Sequence, residues 1–213
     1  MIQVEGSGRF MLQVDPHFEE EIATDIRLSS QSIAERRLLP IPFETVDEYL
    51  SLLEMVSSRV SVFGRAVMMY LAAAVSDFYV PLERRQVHKI QSSSGLDLHL
   101  GQVPKRLGDL KSDWCPAAFV VSFKLETDID ILMDKAKAAI AKYKVDAVVA
   151  NILHTRKEVV YLVTAGGDAL TIRRPSESSM IESALVDSLC QLHSAFMGVH
   201  SSASSENLEE SEA

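Results

Sequence analysis

The sequence predicts an α/β fold built on a mostly parallel sheet, and three observations carry that reading. Apolar runs of strand length recur at Val67–Val75, Phe119–Phe123 and Ala147–Ala150. Between them lie segments of helical periodicity, and 47% of the 213 residues are hydrophobic, enough for a sizeable core. Continuous apolar strands separated by helices call for right-handed crossovers and a sheet covered on both faces.

Each element follows from local signals. Asp15-Pro16 is an N-cap followed by proline at the first helical position, and Phe18, Ile22, Ile26 and Ile33 extend a helix over residues 16–37. Pro40 and Pro42 break the chain, and Thr45 with Glu48 forms a capping box for a helix with Val46, Leu50, Leu53 and Val60 on one face. Val67–Val75 reads as a fully buried strand, Val103–Lys111 as a short helix, Phe119–Phe123 as a strand and Asp128–Tyr143 as an amphipathic helix. Ala147–Ala150 is the third strand. Glu158–Val163 and Ala169–Arg173 flank Ala165-Gly166-Gly167-Asp168, which suits the turn of an antiparallel hairpin.

Ser179 and Glu182 form a second capping box, opening a helix with Ile181, Leu185, Leu189, Leu192 and Phe196 in one stripe and an end near Gly198. The expected organisation is one domain over residues 1–200, mainly helical to residue 65 and sheet core beyond, followed by an acidic disordered tail over 201–213.

Charge and composition exclude several function classes. A net charge of −9 argues against broad nucleic-acid binding, which needs a basic surface. Two cysteines, Cys115 and Cys190, match no metal-ligand spacing and fit a reduced, cytoplasmic setting. No apolar run reaches the roughly 20 residues a spanning helix needs, so no membrane partner is expected.

Ligands of open α/β sheets bind outside the carboxyl ends of the strands. Asp77 follows the first strand, Lys124 and Glu126 the second, and Asn151 the third. From spacing alone Asp77 is equally a site residue or a loop residue capping amides. The segment from Phe78 to Gln102 is longer than most loops in compact domains, which makes it a lid candidate, and Lys89 within it is a cation able to close over a phosphate. Phe123 is placed for core packing or for stacking on a nucleobase. Asn151 both donates and accepts, as base recognition requires, and is also a common turn residue. Lys105 and Arg106 are as consistent with an exposed face as with an anion site. Trp114 and Cys115 read as packing, and Met68 and Met69 as core.

Taken together, LAAAVSDFYVP, HKIQSSSG, QVPKRL, DWCPAAFVVSFKLETD, KYKVDAVVAN and LHSAFM resemble the phosphopantothenate-cysteine ligases of coenzyme A biosynthesis, from about Leu39 to Met197. FKLET resembles the eukaryotic branch. The resemblance implies a three-layer Rossmann-like fold and a ligase joining the carboxylate of 4'-phosphopantothenate to the amine of cysteine through an acyl-nucleotidylate, with Mg2+ and with ATP rather than CTP. It implies substrate contacts by Ala73, Ala74 and Asp77, and catalytic roles for Asp77 and Lys89. Nucleotide contacts fall to Phe123, Lys124 and Asn151, and the expected assembly is a homodimer with shared sites. The glycine-rich phosphate turn and Ser-Ser-Gly segment with which such proteins begin are not matched in residues 1–38, so the N-terminal βαβ unit is expected to be missing. The alternative is a truncated, non-catalytic relative that binds substrate or pairs with a full-length subunit.

Overall fold

A computed structural model describes residues 2–3, 10–11, 14–85, 88, 97–167, 169–176 and 179–209. The chain divides into two compact units, residues 1–44 and 45–213.

The first unit holds a two-residue antiparallel pair, β1 (Ile2–Gln3) with β2 (Phe10–Met11), and the helix α1 (Glu19–Ala34). The helix starts later than residue 16. Asp15 caps the preceding turn instead, accepting from the His17 amide through Oδ1 at 2.9 Å, while its carbonyl accepts from Phe18. The C-terminal end is set by Arg36 at φ +58°, a left-handed conformation that halts the α-helix.

The second unit opens with α2 (Val46–Val60), whose predicted capping box is present. Glu48 N–H donates to Thr45 Oγ1 at 3.2 Å and Thr45 N–H to Glu48 Oε2 at 3.1 Å. A 3-10 turn, Ser61–Ala66, leads into β3 (Met68–Leu71). There follow β4 (Phe78–Tyr79), β5 (Gly101–Gln102), the single turn α3 (Leu107–Asp109) continued by a π-helical turn to Trp114, β6 (Phe119–Glu126) and α4 (Ile129–Tyr143). The unit is completed by β7 (Ala147–Ile152), β8 (Val159–Thr164), β9 (Ala169–Arg173) and α5 (Ile181–Glu209).

The main sheet has the order β3-β6-β7-β8-β9, parallel across β3, β6 and β7 and antiparallel across β7, β8 and β9. The predicted hairpin therefore extends a parallel sheet. Side-chain alternation sorts the residues into two faces. Val120, Val148, Ala150 and Val163 pack against Leu132, Ala136 and Ile140 of α4, with Leu53 and Val60 of α2 beside them. Val121, Ala147, Val149, Val160 and Leu162 pack against Ile181, Leu185 and Leu189 of α5. Two helical layers enclosing one sheet make the three-layer α/β architecture.

Four expectations are corrected. The strand at Val67–Val75 is neither that long nor fully buried: β3 has four residues, all half-buried or exposed, because it lies at the sheet edge with β6 as its one partner among the described residues. Beyond Leu71 the three alanines offer little cross-strand packing to hold the ladder. The helix expected at Val103–Lys111 starts only at Leu107, because Val103 donates its amide to the Asp77 carbonyl at 3.0 Å and Pro104 follows. Ser179 does not open α5 as expected: its hydroxyl accepts from Ser176 N–H at 2.8 Å and donates to Ser176 O at 3.0 Å. Finally, α5 runs through Gly198 to Glu209, since one glycine inside a helix costs only about 1 kcal/mol.

Candidate active site

The carboxyl ends of β3 and β6 frame an open cleft of about 320 Å³. Its floor is Leu71, Ser122 and Phe123, one wall is Tyr49, Leu50 and Leu53 of α2, and another is the segment Val75-Ser76-Asp77. Val103 to Leu107 closes the far side, with Lys105 and Arg106 among its lining residues.

Local bonding explains why Asp77 arrives there. Ser76 folds back on its own chain, its Oγ donating to Phe78 O at 2.8 Å and accepting from Phe78 N–H at 3.2 Å. The Asp77 carbonyl is held by Val103 N–H, which leaves its carboxylate exposed, with no ion pair or side-chain hydrogen bond among the described residues.

The long segment after Asp77 is closed at its base. Its two ends pair as β4 and β5, Phe78 with Gln102 and Tyr79 with Gly101. Gly101 is required by this closeness, since a Cβ there would sit 2.9 Å from Pro81 Cγ. Arg85 ties the same base down, donating through Nε to Val80 O at 2.8 Å and pairing with Asp47 of α2. The lid candidate Lys89 lies outside the described residues.

The other predicted residues share this edge but not all of them line the cleft. Phe123 does, half-buried and edge-on to Tyr70 with ring centroids 4.9 Å apart. Burial, and secondarily the charge of Glu182, holds the Tyr70 hydroxyl above its ordinary pKa, so it stays a neutral phenol. Ala73 and Ala74 lie in the exposed stretch between β3 and Asp77, where the cleft is lined by the next three residues instead. Lys124 is paired with Glu126 Oε1 at 3.0 Å, and Lys135 of α4 reaches the same oxygen at 2.8 Å. Asn151, half-buried in β7, stands opposite Leu125 of β6 in register, one strand away from Phe123.

Sequence reasoning missed Tyr49 and Tyr143 and underweighted Lys105. Both tyrosines fit a helical stripe and so read as packing; the cleft-facing role of Tyr49 comes only from where α2 lies. Its hydroxyl pKa is raised by burial. Lys105 is exposed at the cleft rim with no ion pair among the described residues, whereas Arg106 is drawn to Asp109 at 2.8 Å. The cleft therefore offers an uncommitted carboxylate, an uncommitted ammonium and three aromatic side chains. That set suits a ligand with an anionic end and a flat or apolar body.

Comparison with known proteins bears on this arrangement. Residues 40–182 match the family described as DNA/pantothenate metabolism flavoprotein C-terminal domain. The chain is 50% identical over 184 residues to phosphopantothenate--cysteine ligase 2 of Oryza sativa subsp. japonica, covering 86% of this chain and 57% of that protein. It is 39% identical over 196 residues to the Homo sapiens phosphopantothenate--cysteine ligase, covering 90% and 63%. Among solved structures, a Cab2 mutant in complex with phosphopantothenate-cysteine is similar with a TM-score of 0.79 at 30% identity, covering 93% of this chain and 65% of that one. The chain thus spans little more than half the length of the first of these relatives.

Proposed function

The chain belongs to the DNA/pantothenate metabolism flavoprotein C-terminal domain family, and from that membership we propose that it acts as a phosphopantothenate-cysteine ligase of coenzyme A biosynthesis. The observation that carries the reading is the likeness, over 93% of the chain, to a Cab2 structure holding phosphopantothenate-cysteine.

In this reading the carboxylate of 4'-phosphopantothenate attacks the α-phosphorus of ATP, releasing pyrophosphate and forming an acyl-adenylate. The cysteine amine then attacks the acyl carbon, AMP departs, and the amine loses a proton as the amide forms. Both steps build negative charge near phosphate, where a preorganised cation contributes most. Lys105 at the cleft rim supplies one, and Lys89 is assigned the second, closing over the acyl phosphate. Asp77, with Ala73 and Ala74 beside it, borders the phosphopantothenate arm. Phe123 offers a face for the adenine, with Lys124 and Asn151 further along the same edge.

Magnesium is the cofactor this chemistry calls for, and it would draw charge off the nucleotide phosphates. Asp77 is the one carboxylate lining the cleft among the described residues, and an ion held mainly by substrate phosphates needs no more than one or two. The active assembly is proposed to be a homodimer.

The deciding experiment incubates the purified chain with ATP, Mg2+, 4'-phosphopantothenate and cysteine and measures AMP, pyrophosphate and the amide product. Equimolar AMP and product are expected, with cysteine required for AMP release. A folded sample that yields no product sinks the ligase assignment.

A further inference from the structure

A cavity larger than the cleft beside Asp77 lies elsewhere in the second unit. It lies at the opposite end of the parallel strands, where β6 begins at Phe119 and Val145-Asp146 leads into β7, and it measures about 860 Å³. That is near the upper end of the roughly 300–1,000 Å³ typical of small-molecule sites. Among the described residues, none assigned above to ligase chemistry lines it.

Its walls are mainly apolar, with Phe119, Ile140 and Phe196 prominent, but its charged groups are mostly cationic. Lys137 sits on α4 and Lys144, seven residues on, at its left-handed C-cap, and both line the cavity. Neither has an ion pair among the described residues. The third cation is Arg65, whose guanidinium lies 3.9 Å over the Phe196 ring and donates through one terminal nitrogen to the Phe196 carbonyl. Its Nε is the one buried side-chain polar atom among the described residues that finds no hydrogen-bond partner. Leaving such a donor unmet is costly, and the arginine that carries it is one of the residues lining this cavity. Asp146, the single carboxylate in the lining among the described residues, does not cancel these charges because it is already engaged by Lys111 Nζ at 2.8 Å and Val120 N–H at 2.7 Å.

From this juxtaposition of an orphaned guanidinium donor, two uncommitted lysines and an aromatic wall, we infer that the cavity is a second binding site, for an organic phosphate carrying an apolar body. The phosphate sits among Arg65, Lys137 and Lys144, and the body lies against Phe119 and Phe196. An inorganic phosphate lacks the second half of this recognition and binds far more weakly.

The test uses 1-naphthyl phosphate as probe and amide NMR of the full chain as readout. Saturable binding is expected, with the largest shifts at Gly166, Gly167 and Val145 rather than at Ser76, Asp77 and Lys105. The double change Lys137→Glu with Lys144→Glu, both at exposed positions, should weaken binding by about tenfold or more, while Lys105→Glu with Arg106→Glu leaves it within about twofold. Inorganic phosphate should bind at least tenfold more weakly than the naphthyl ester. The inference fails if the shifts concentrate around Asp77, if the lysine reversals leave affinity unchanged, or if no saturable binding occurs.

Discussion

In the main sheet one aspartate stands just before β7 and another follows β3 after a short exposed stretch, and the two have opposite fates. Before β7, Asp146 is locked: Lys111 Nζ and the Val120 amide both donate to it, and the lysine also donates to the Ala118 carbonyl at 2.7 Å. After β3, Asp77 is fastened by its backbone alone and its carboxylate stands open at the cleft. The strands differ in the same sense. β7 has a neighbour on each side and its first four residues are 0% exposed, whereas β3 is an edge strand with none buried. The sheet is held where its polar groups satisfy one another, and ligand chemistry becomes possible where they are left unspent.

The sharpest break would come from inside β7. Val148→Asp puts an unpaired carboxylate at a position with no solvent and no cation, and should cost more than about 4 kcal/mol, leaving little folded protein by circular dichroism. Tyr70→Asp, on the edge strand, should leave a folded chain. Equal losses at the two positions would mean that β3 is as enclosed as β7. Next in size is Asp146→Ala, which leaves the Lys111 ammonium with the Ala118 carbonyl but no counter-charge from Asp146 and takes the acceptor from the Val120 amide. About 3 kcal/mol should be lost in urea denaturation, with Asp146→Asn losing less because it keeps an acceptor.

The contrast between these strands marks how far the sequence is legible. Continuous apolar runs located β6 and β7, and the flanks of a glycine turn located β8, to within a few residues, because a strand covered on both faces has no freedom in which residues it makes apolar. The same pattern overstated β3: Met68, Met69 and Leu71 are as apolar as a central strand, and nothing local distinguishes a strand with one neighbour from one with two. At the site, Asp77 and Phe123 converge as strand-end reasoning expects. The pairing of Lys124 with Glu126 and Lys135 was not readable, since Lys135 reaches Glu126 only after α4 has folded back along the sheet. The orphaned Arg65 was invisible for the same reason: its surroundings come from α5, over a hundred residues away.

Smaller effects test the side of the unit that carries the cleft. Thr45→Ala removes one half of the capping box of α2, the helix that supplies Tyr49, Leu50 and Leu53 to the cleft. It should cost about 1 kcal/mol in denaturant while leaving the fold unchanged. Below that lies Glu126. Hydrogen bonds first from Lys135 and then from Lys124 hold its carboxyl below the ordinary range. A folded pKa lower than the unfolded one contributes stability that is full above the unfolded value and is lost as pH falls through the folded one. Glu126→Gln should therefore flatten the decline in stability as pH falls below the ordinary carboxylate range, within the ~0.2–1 kcal/mol of exposed pairs. A variant whose acid limb matches the parent would show that neither lysine bond persists in solution.

The smallest expected change in stability is the most informative. Asp77→Asn replaces an exposed carboxylate that has no ion pair or side-chain hydrogen bond among the described residues and leaves the backbone bond from Val103 intact. Its thermal midpoint should match the parent, with unfolding free energy changed by less than about 0.5 kcal/mol. Under the ligase reading its AMP release should nevertheless fall by about 100-fold or more, of the order seen when one charged group acting on a transition state is removed. A drop in midpoint with activity retained would reverse the contrast between the two aspartates, making Asp77 a second Asp146: a residue that fastens the chain and touches no ligand.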